Sequence, residues 1–319
     1  MEGDAQLSRP LIECVPNFSE GRDTDCIDAI EAAIAAANGS VVLHRTSDPD
    51  HNRSVITYAG TPESVLESAV RAAEVARDRI DLNLQSGVHP RVGAMDVLPF
   101  VPLEGATLAE CVEIAHAAGR RIWDELQIPV YFYEAAAWRP ERMRLEDVRR
   151  GEFEALRTAG HEGYEKRPDV GGPALHPTAG AVIAGARKLL IAFNVNLQST
   201  DVSLAKSIAK RIRASSGGFR TVKALGLPLA SRGLVQVSTN VTDFEVTSVA
   251  VVYREIEHLA HAAGVAIEES ELIGLIPQRA LEGTSPEELK MKEFDAERIL
   301  ENRLRSCIAG SGKGRATLP

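Results

Sequence analysis

The segment VVLHRTSDPDHNRSVITYAGTP, residues 41–62, holds two apolar, β-branched runs, VVLH at 41–44 and SVITYA at 54–59, separated by a polar turn. Short runs of this kind bounded by Asp, Asn and Pro read as paired strands. Thr61 then supplies a helix N-cap, and Pro62 suits the first helical position because its missing N–H is not needed there. Leu66, Ala69, Ala73, Ala76 and Ile80 lay one apolar stripe along the helix that follows. Upstream, LIECVP at 11–16 is a short apolar strand, and Ile27, Ile30, Ile34 and Ala37 recur at helical spacing until Asn38-Gly39 stops them. The order is strand, helix, two strands, helix, and the apolar run MDVLPFVPL at 95–103 completes it.

A third helix from about Thr107 carries Leu108, Cys111, Val112, Ala115 and Ile122 on one face, and a strand follows at 129–134, where the first subdomain is expected to close. Residues 138–180 lack sustained apolar periodicity and read as a connector with one polar helix, the kind of segment that borders ligand sites. The second half repeats the first order: a strand at 187–195, a helix from Thr200, strands at 221–226 and 233–238, a helix from Thr247, then GVAIEES. The matched order predicts two βαββαβ-like subdomains, 1–185 and 186–319. The repeat is one of topology, since identity between the halves is weak. The glycine-rich tail is expected to be frayed.

With 319 residues and 44% hydrophobic content, the chain can bury a core large enough to split in two. No stretch approaches the roughly 18 unbroken apolar residues that span a membrane. The amino terminus carries acids early and lacks the basic-then-apolar pattern of a secretory leader. A cytoplasmic protein is expected. Cys14, Cys26, Cys111 and Cys307 stand far apart without a C-x-x-C pair, which argues against a zinc knuckle or a disulfide framework and leaves buried thiols. A net charge of −9 disfavours nucleic acid, whose phosphates need a dense basic surface. A small polyanion stays within reach where a few arginines converge.

Several segments offer chemistry. SGVHPRVGAMDVLPF, residues 86–100, joins a long helix to an apolar strand and puts His89, Arg91 and Asp96 at a loop edge. Gly87 and Pro90 set the backbone around His89, whose imidazole titrates near neutral pH as acid–base work requires. Taken alone, His89 is either such a base or a structural loop histidine. In SDPDHNRS at 47–54 the acids cap their own turn, or Asp48 or Asp50 orients a substrate amine or a histidine while Arg53 binds a carboxylate in bidentate fashion. NFSEG at 17–21 leads a strand into a helix, where the amides hold an anion or the turn is simply capped. In GGPALHPTAGAVIAGARK at 171–188, glycines let a planar ligand approach the backbone and prolines keep the loop open. Neither this run nor GSGKG in the tail has P-loop spacing, which argues against nucleotide hydrolysis. His258 and His261 lack a third ligand and read as a solvated helix face, so no metal is expected.

Together ECVPNFSEGRD, DHNRSVITYAG, HPRVGAMDVLPFVPL, GARKLLIAFNVNL and VSTNVTDFE resemble the formiminotransferase domain family, in order and across almost the whole chain. The resemblance implies an α+β fold, an α/β sandwich of two subdomains whose mixed sheets pack face to face with helices outside, and a homodimer. It implies transfer of the formimino group of N-formimino-L-glutamate to N5 of tetrahydrofolate, a co-substrate, giving 5-formiminotetrahydrofolate and L-glutamate in histidine degradation. It makes His89 the catalytic residue. It places the folate-contacting loop at Gly171, Gly172, Pro173, Ala174, Leu175, His176, Pro177, Thr178, Ala179 and Gly180. Ala174, Thr178 and Ala179 stand where the family has serines and a tryptophan, so folate contacts are expected to rest on backbone more than on side chains. Arg53, Arg91 and Arg187 are expected to clamp the carboxylates that both substrates carry. Some members append a cyclodeaminase domain; this sequence ends at 319, and deaminase activity is not expected. A formyl donor on the same scaffold, a folate-binding protein without turnover and an assembly scaffold are the alternatives, and sequence does not separate the two donors.

Overall fold

A computed structural model describes residues 10–49, 51–87, 90–159, 163 and 166–312. The chain divides into two compact units, Met1–Arg187 and Lys188–Pro319. In the first, β1 (Ile12–Cys14) and β2 (Asn17–Phe18) form one line interrupted at Val15-Pro16, where proline has no amide for the ladder. This line runs antiparallel to β4 (Arg53–Gly60) on one side and β5 (Met95–Pro102) on the other. β3 (Ser40–Asp48) pairs with the outer side of β4. The helices α1 (Thr24–Ala35), α2 (Pro62–Arg79) and α3 (Leu108–Leu126) start at the caps Asp23, Thr61 and Thr107, and Thr107 with Glu110 makes a reciprocal capping box. Register sets Cys14, Tyr58 and Phe100 side by side, and all three share a core with Ile27, Ile30, Ala73 and Cys111 of the helices. Glu13, Ala59 and Val101 alternate onto the opposite face of the sheet.

The first unit does not close at residue 134. The strand β6 (Val130–Glu134) reaches the sheet only through β7 (Val182–Ala186), which lies between β5 and β6 and is parallel to both. Every residue of β7 is buried, as parallel strands covered on both faces are. Its VIAGA therefore shows no alternation, which is why it reads in sequence as the end of a glycine-rich loop. The next strand starts correspondingly later than Arg187, as β8 (Ile191–Leu197).

The second unit runs β8, α6 (Val202–Ile212), β9 (Val222–Leu229), β10 (Leu234–Val241), α7 (Val249–Ala262), β11 (Ile267–Ile273), with α8 (Leu300–Gly312) near the end of the chain. Its sheet has the order β11-β8-β10-β9, antiparallel throughout. The corresponding strands of the first unit lie in the order β5-β1-β4-β3. Both units thus place fourth, first, third and second strands in the same sequence, so the repeat inferred from element order is present in space. Phe193, Val195, Val235 and Val237 face the helices of this unit, while Asn196, Gln236 and Glu269 stand in register on the other face. There Gln236 donates to Asn196 Oδ1 at 3.0 Å, and Arg232 pairs with Glu269 and Glu271. His258 and His261 are exposed on α7. Cys14, Cys26 and Cys111 are buried, whereas Cys307 is only half-buried. Among the described residues no helix is long and apolar enough to cross a membrane, and no group of three His, Cys, Asp or Glu is placed to hold a metal ion.

The connector is more structured than its composition suggests. It holds α4 (Leu145–Val148) and α5 (Glu152–Ala159), with Val148, Phe153 and Leu156 buried. Asp169, whose side chain is fully buried, pins its far end to β6 by accepting from Phe132 N at 2.8 Å and pairing with Arg142 at 2.5 Å. The Arg142 guanidinium also stacks on Tyr131, 4.9 Å from the ring centre. Removing one partner of a buried pair leaves an uncompensated charge, at a cost of about 3–5 kcal/mol. Asp169→Ala is expected to lose stability in that range in denaturant unfolding, several times more than Asp124→Ala on the surface of α3.

Candidate active site

The side chains singled out around the two strand-edge loops converge at one end of the first sheet. Asn52, at the tip of the β3–β4 hairpin with φ 49°, accepts from Gly21 N at 2.9 Å and donates to Ser86 O at 3.0 Å. Gln85 returns a bond to Asn52 O at 3.0 Å. Gly87 packs against the same tip, since a Cβ there would lie 2.4 Å from His51 O. On the other side, Arg91 donates to Leu82 O and Gln85 O, both at 3.1 Å, and pairs with Glu154 of α5 at 2.9 Å. Val92 N donates to Asp96 Oδ1 at 2.7 Å. Val88 and His89 lie outside the described residues, but the chain is tied down immediately before and after them.

Asp96 is 2% exposed. Its second oxygen takes the guanidinium of Arg149, the C-cap of α4. Arg53, at the start of β4, bonds Asn17 Oδ1 of β2 and borders the same narrow crevice as Asp96 and Arg91. Burial, with the neighbouring charge of Arg149 as the next largest influence, pulls Arg53 down to about 10. The Nε atoms of Arg53, Arg91 and Arg149 are all buried and have no hydrogen-bond partner among the described residues. Of the nearby carboxylates, Asp96 pairs with Arg149 and Glu154 with Arg91, while Asp96 and Asp48 both act on Arg53 by charge alone. Three clustered guanidiniums with unmet buried donors suit a carboxylate ligand.

The segment 171–180 lies against this loop. Gly180 and Gly93 are bridge partners in near-contact: a Cβ on Gly180 would sit 2.0 Å from Val92 O, and one on Gly93 2.0 Å from Ala181 O. No side chain fits at either position. Leu82 N donates to Thr178 O, Ala94 N to Ala179 O and Asn83 to Pro177 O. His176 closes the turn by exchanging main-chain bonds with Gly180, while its Nδ1 accepts from Ala179 N at 3.0 Å. The polar backbone of 176–180 is therefore largely engaged, and among the described residues none hydrogen-bonds the main chain of 171–174. Gly171, Pro173 and Ala174 are exposed.

Other readings sort differently. Asp48 accepts from His51 N at 2.9 Å and pairs with its ring at 2.7 Å on an exposed turn, so it caps the hairpin; Asp50 lies outside the described residues, as do the tail residues from 313. The turn at 17–21 is capped by side chains: Glu20 takes the amides of Arg22 and Asp23, and Asn52 takes that of Gly21. Arg187, at the end of β7, is set beside the buried Glu13 and Tyr133. Sequence reasoning missed Arg149, one of six arginines between 138 and 157 with nothing local to mark it.

Fold and site together describe an α+β protein whose two units share one four-strand order, with a narrow basic crevice at the loop edge of the first. The family model of the formiminotransferase domain, N-terminal subdomain, matches residues 11–187, and that of the formiminotransferase domain matches 192–294. The chain belongs to this family. It is similar to the glutamate formimidoyltransferase of Streptococcus pyogenes serotype M1, 42% identical over 92% of this chain and 98% of that protein. It is 42% identical to the enzyme of the same name from Thermoplasma acidophilum, over 92% of this chain and 97% of that protein. The formimidoyltransferase-cyclodeaminase of Rattus norvegicus is 44% identical over 85% of this chain, which covers 51% of that longer protein.

Burial pushes the Glu13 carboxyl from 4.5 up to about 7, with Arg187 pulling the other way. A carboxyl raised in the folded state holds a proton that the unfolded chain has released, so stability falls as pH rises between about 4.5 and about 7. The stability difference between wild type and Glu13→Gln is therefore expected to shift in the mutant's favour across that window, by on the order of 3 kcal/mol. Urea unfolding of both proteins at pH 4.5 and 8 measures it; a pH-independent difference would refute the reading.

Proposed function

We propose that the chain is a glutamate formimidoyltransferase, moving the formimino group of N-formimino-L-glutamate to N5 of tetrahydrofolate. The observation that carries this is the 42% identity to two proteins of that name over nearly the full length of both. N5 loses a proton as it attacks the formimino carbon. His89 is assigned as the base, a role worth roughly 10²- to 10⁴-fold in rate. Collapse of the tetrahedral intermediate expels the glutamate amine, which needs a proton, and the same imidazolium returns it. The bonds that anchor residues 85–87 and 91–92 support this assignment, since a base must be held in place to act.

The largely exposed Gly171 to Ala174 is the part of the 171–180 loop best suited to a flat folate ring; the remainder of the loop serves to attach it to Leu82, Asn83 and Ala94. Arg53 and Arg91 supply positive charge for substrate carboxylates. Arg187 is the weaker candidate, because its charge is already set against Glu13. The same reading makes the protein a cytoplasmic homodimer that works on small molecules without a metal.

Purified protein is assayed with tetrahydrofolate and either N-formimino- or N-formyl-L-glutamate, following glutamate release. Turnover is expected with the formimino donor. His89→Ala is expected to lower kcat by about 10²- to 10⁴-fold while folate affinity is retained. Preference for the formyl donor would reassign the substrate, and folate binding without turnover on either donor would make the chain a binding protein.

A further inference from the structure

The arginine pair at the end of the first sheet has a more specific use than general attraction of anions. We propose that Arg53 and Arg149 together form the site for the α-carboxylate of the amino-acid donor, with Asp96 as the positioning residue that sets Arg149 for it. The inference rests on the transferase reading and assigns a subsite within it.

Asp96 holds two things at once: the amide of Val92, just past His89, and the guanidinium of Arg149. It therefore fixes the distance between the loop and this arginine. Arg53 comes from the other direction, anchored by Asn17 and bordering the same crevice as Asp96, close enough for the charge of Arg149 to act on it. Like charges brought together out of water repel, and one carboxylate on Asp96 does not neutralise both. Each keeps a buried Nε with no partner among the described residues. An incoming carboxylate would meet donors from both arginines and remove the repulsion, and charge-assisted bonds of this kind are the strong ones. Glu154 pairs with Arg91 instead, and Asp48, the cross-strand neighbour of Arg53 whose charge also acts on it, holds His51 on an exposed turn.

Location decides which carboxylate. In N-formimino-L-glutamate the α-carboxylate is separated from the reacting carbon only by the nitrogen and Cα. In tetrahydrofolate the glutamyl carboxylates lie beyond the aminobenzoyl group, far from N5. A carboxylate site fastened through Asp96 to the amide of Val92, three residues along the chain from the assigned base, suits the first and not the second.

Steady-state kinetics of Arg149→Gln and Arg149→Lys tests the assignment. Loss of charge-assisted bonds predicts a KM for N-formimino-L-glutamate raised about 10- to 100-fold in Arg149→Gln, with KM for tetrahydrofolate within about twofold of wild type. The lysine variant keeps the charge beside Asp96, guards against a folding defect, and is expected to lose less. Asp96→Asn is expected to raise the same KM, because Val92 N retains an acceptor but Arg149 loses its anchor. The deciding probe is N-formimino-4-aminobutyrate, which lacks the α-carboxylate. Wild type should use it as poorly as Arg149→Gln uses the natural donor, and the mutation should have no further effect on it. A mutation that slows both donors equally, or raises only the folate KM, overturns the proposal. If wild type turns over neither donor, the functional reading fails separately. Calorimetry with L-glutamate then decides the subsite: affinity lost in Arg149→Gln supports it, and unchanged or undetectable binding rejects it.

Discussion

Asp96 is a carboxylate buried at the second residue of β5, and the site depends on how its charge is met. An uncompensated buried charge is costly, so its two oxygens must find donors. One takes the amide of Val92 and the other the guanidinium of Arg149. Those bonds join three separate parts of the first unit: the central sheet, the loop after α2 and the connector helix α4. The geometry of the basic crevice follows from that junction, because Arg53 and Arg91 are brought to the same place by strands and loops that the sheet already orders.

The surrounding contacts extend the same principle of meeting buried polar groups with partners drawn from distant sequence. Asn52 fastens the hairpin tip to residue 21 on one side and residue 86 on the other. Gly93 and Gly180 approach so closely that only hydrogen fits, which lays the 171–180 segment along the strand leading into β5. The outcome is that residues 85–87 and 91–92 are secured beside the guanidiniums of Arg53, Arg91 and Arg149.

The two units share a strand order yet carry different loads. The first adds β6 and β7 in parallel beyond the common core, and that addition delivers both the 171–180 loop and the arginine-bearing connector to the site. The second keeps the bare four-stranded arrangement, with a polar ladder of Asn196, Gln236 and Glu269 on one face of its sheet.

Local pattern was enough for the hairpin around residues 47–54, the cap at Thr61, the helix start near Thr107, the helical stripes and the paired βαββαβ order, since each rests on neighbours within a few residues. Sequence alone also marked His89, Arg53 and Arg91 as loop-edge candidates. It misread β7 because a fully buried strand of small residues shows no alternation. It passed over Arg149 and Asp169 because their meaning lies in partners far along the chain, Arg149 with Asp96 53 residues away and Asp169 with β6 across 37. Periodicity and capping are properties of adjacent residues and can be read in order. Which of many arginines stands beside a buried carboxylate is decided only when the sheet brings distant segments together.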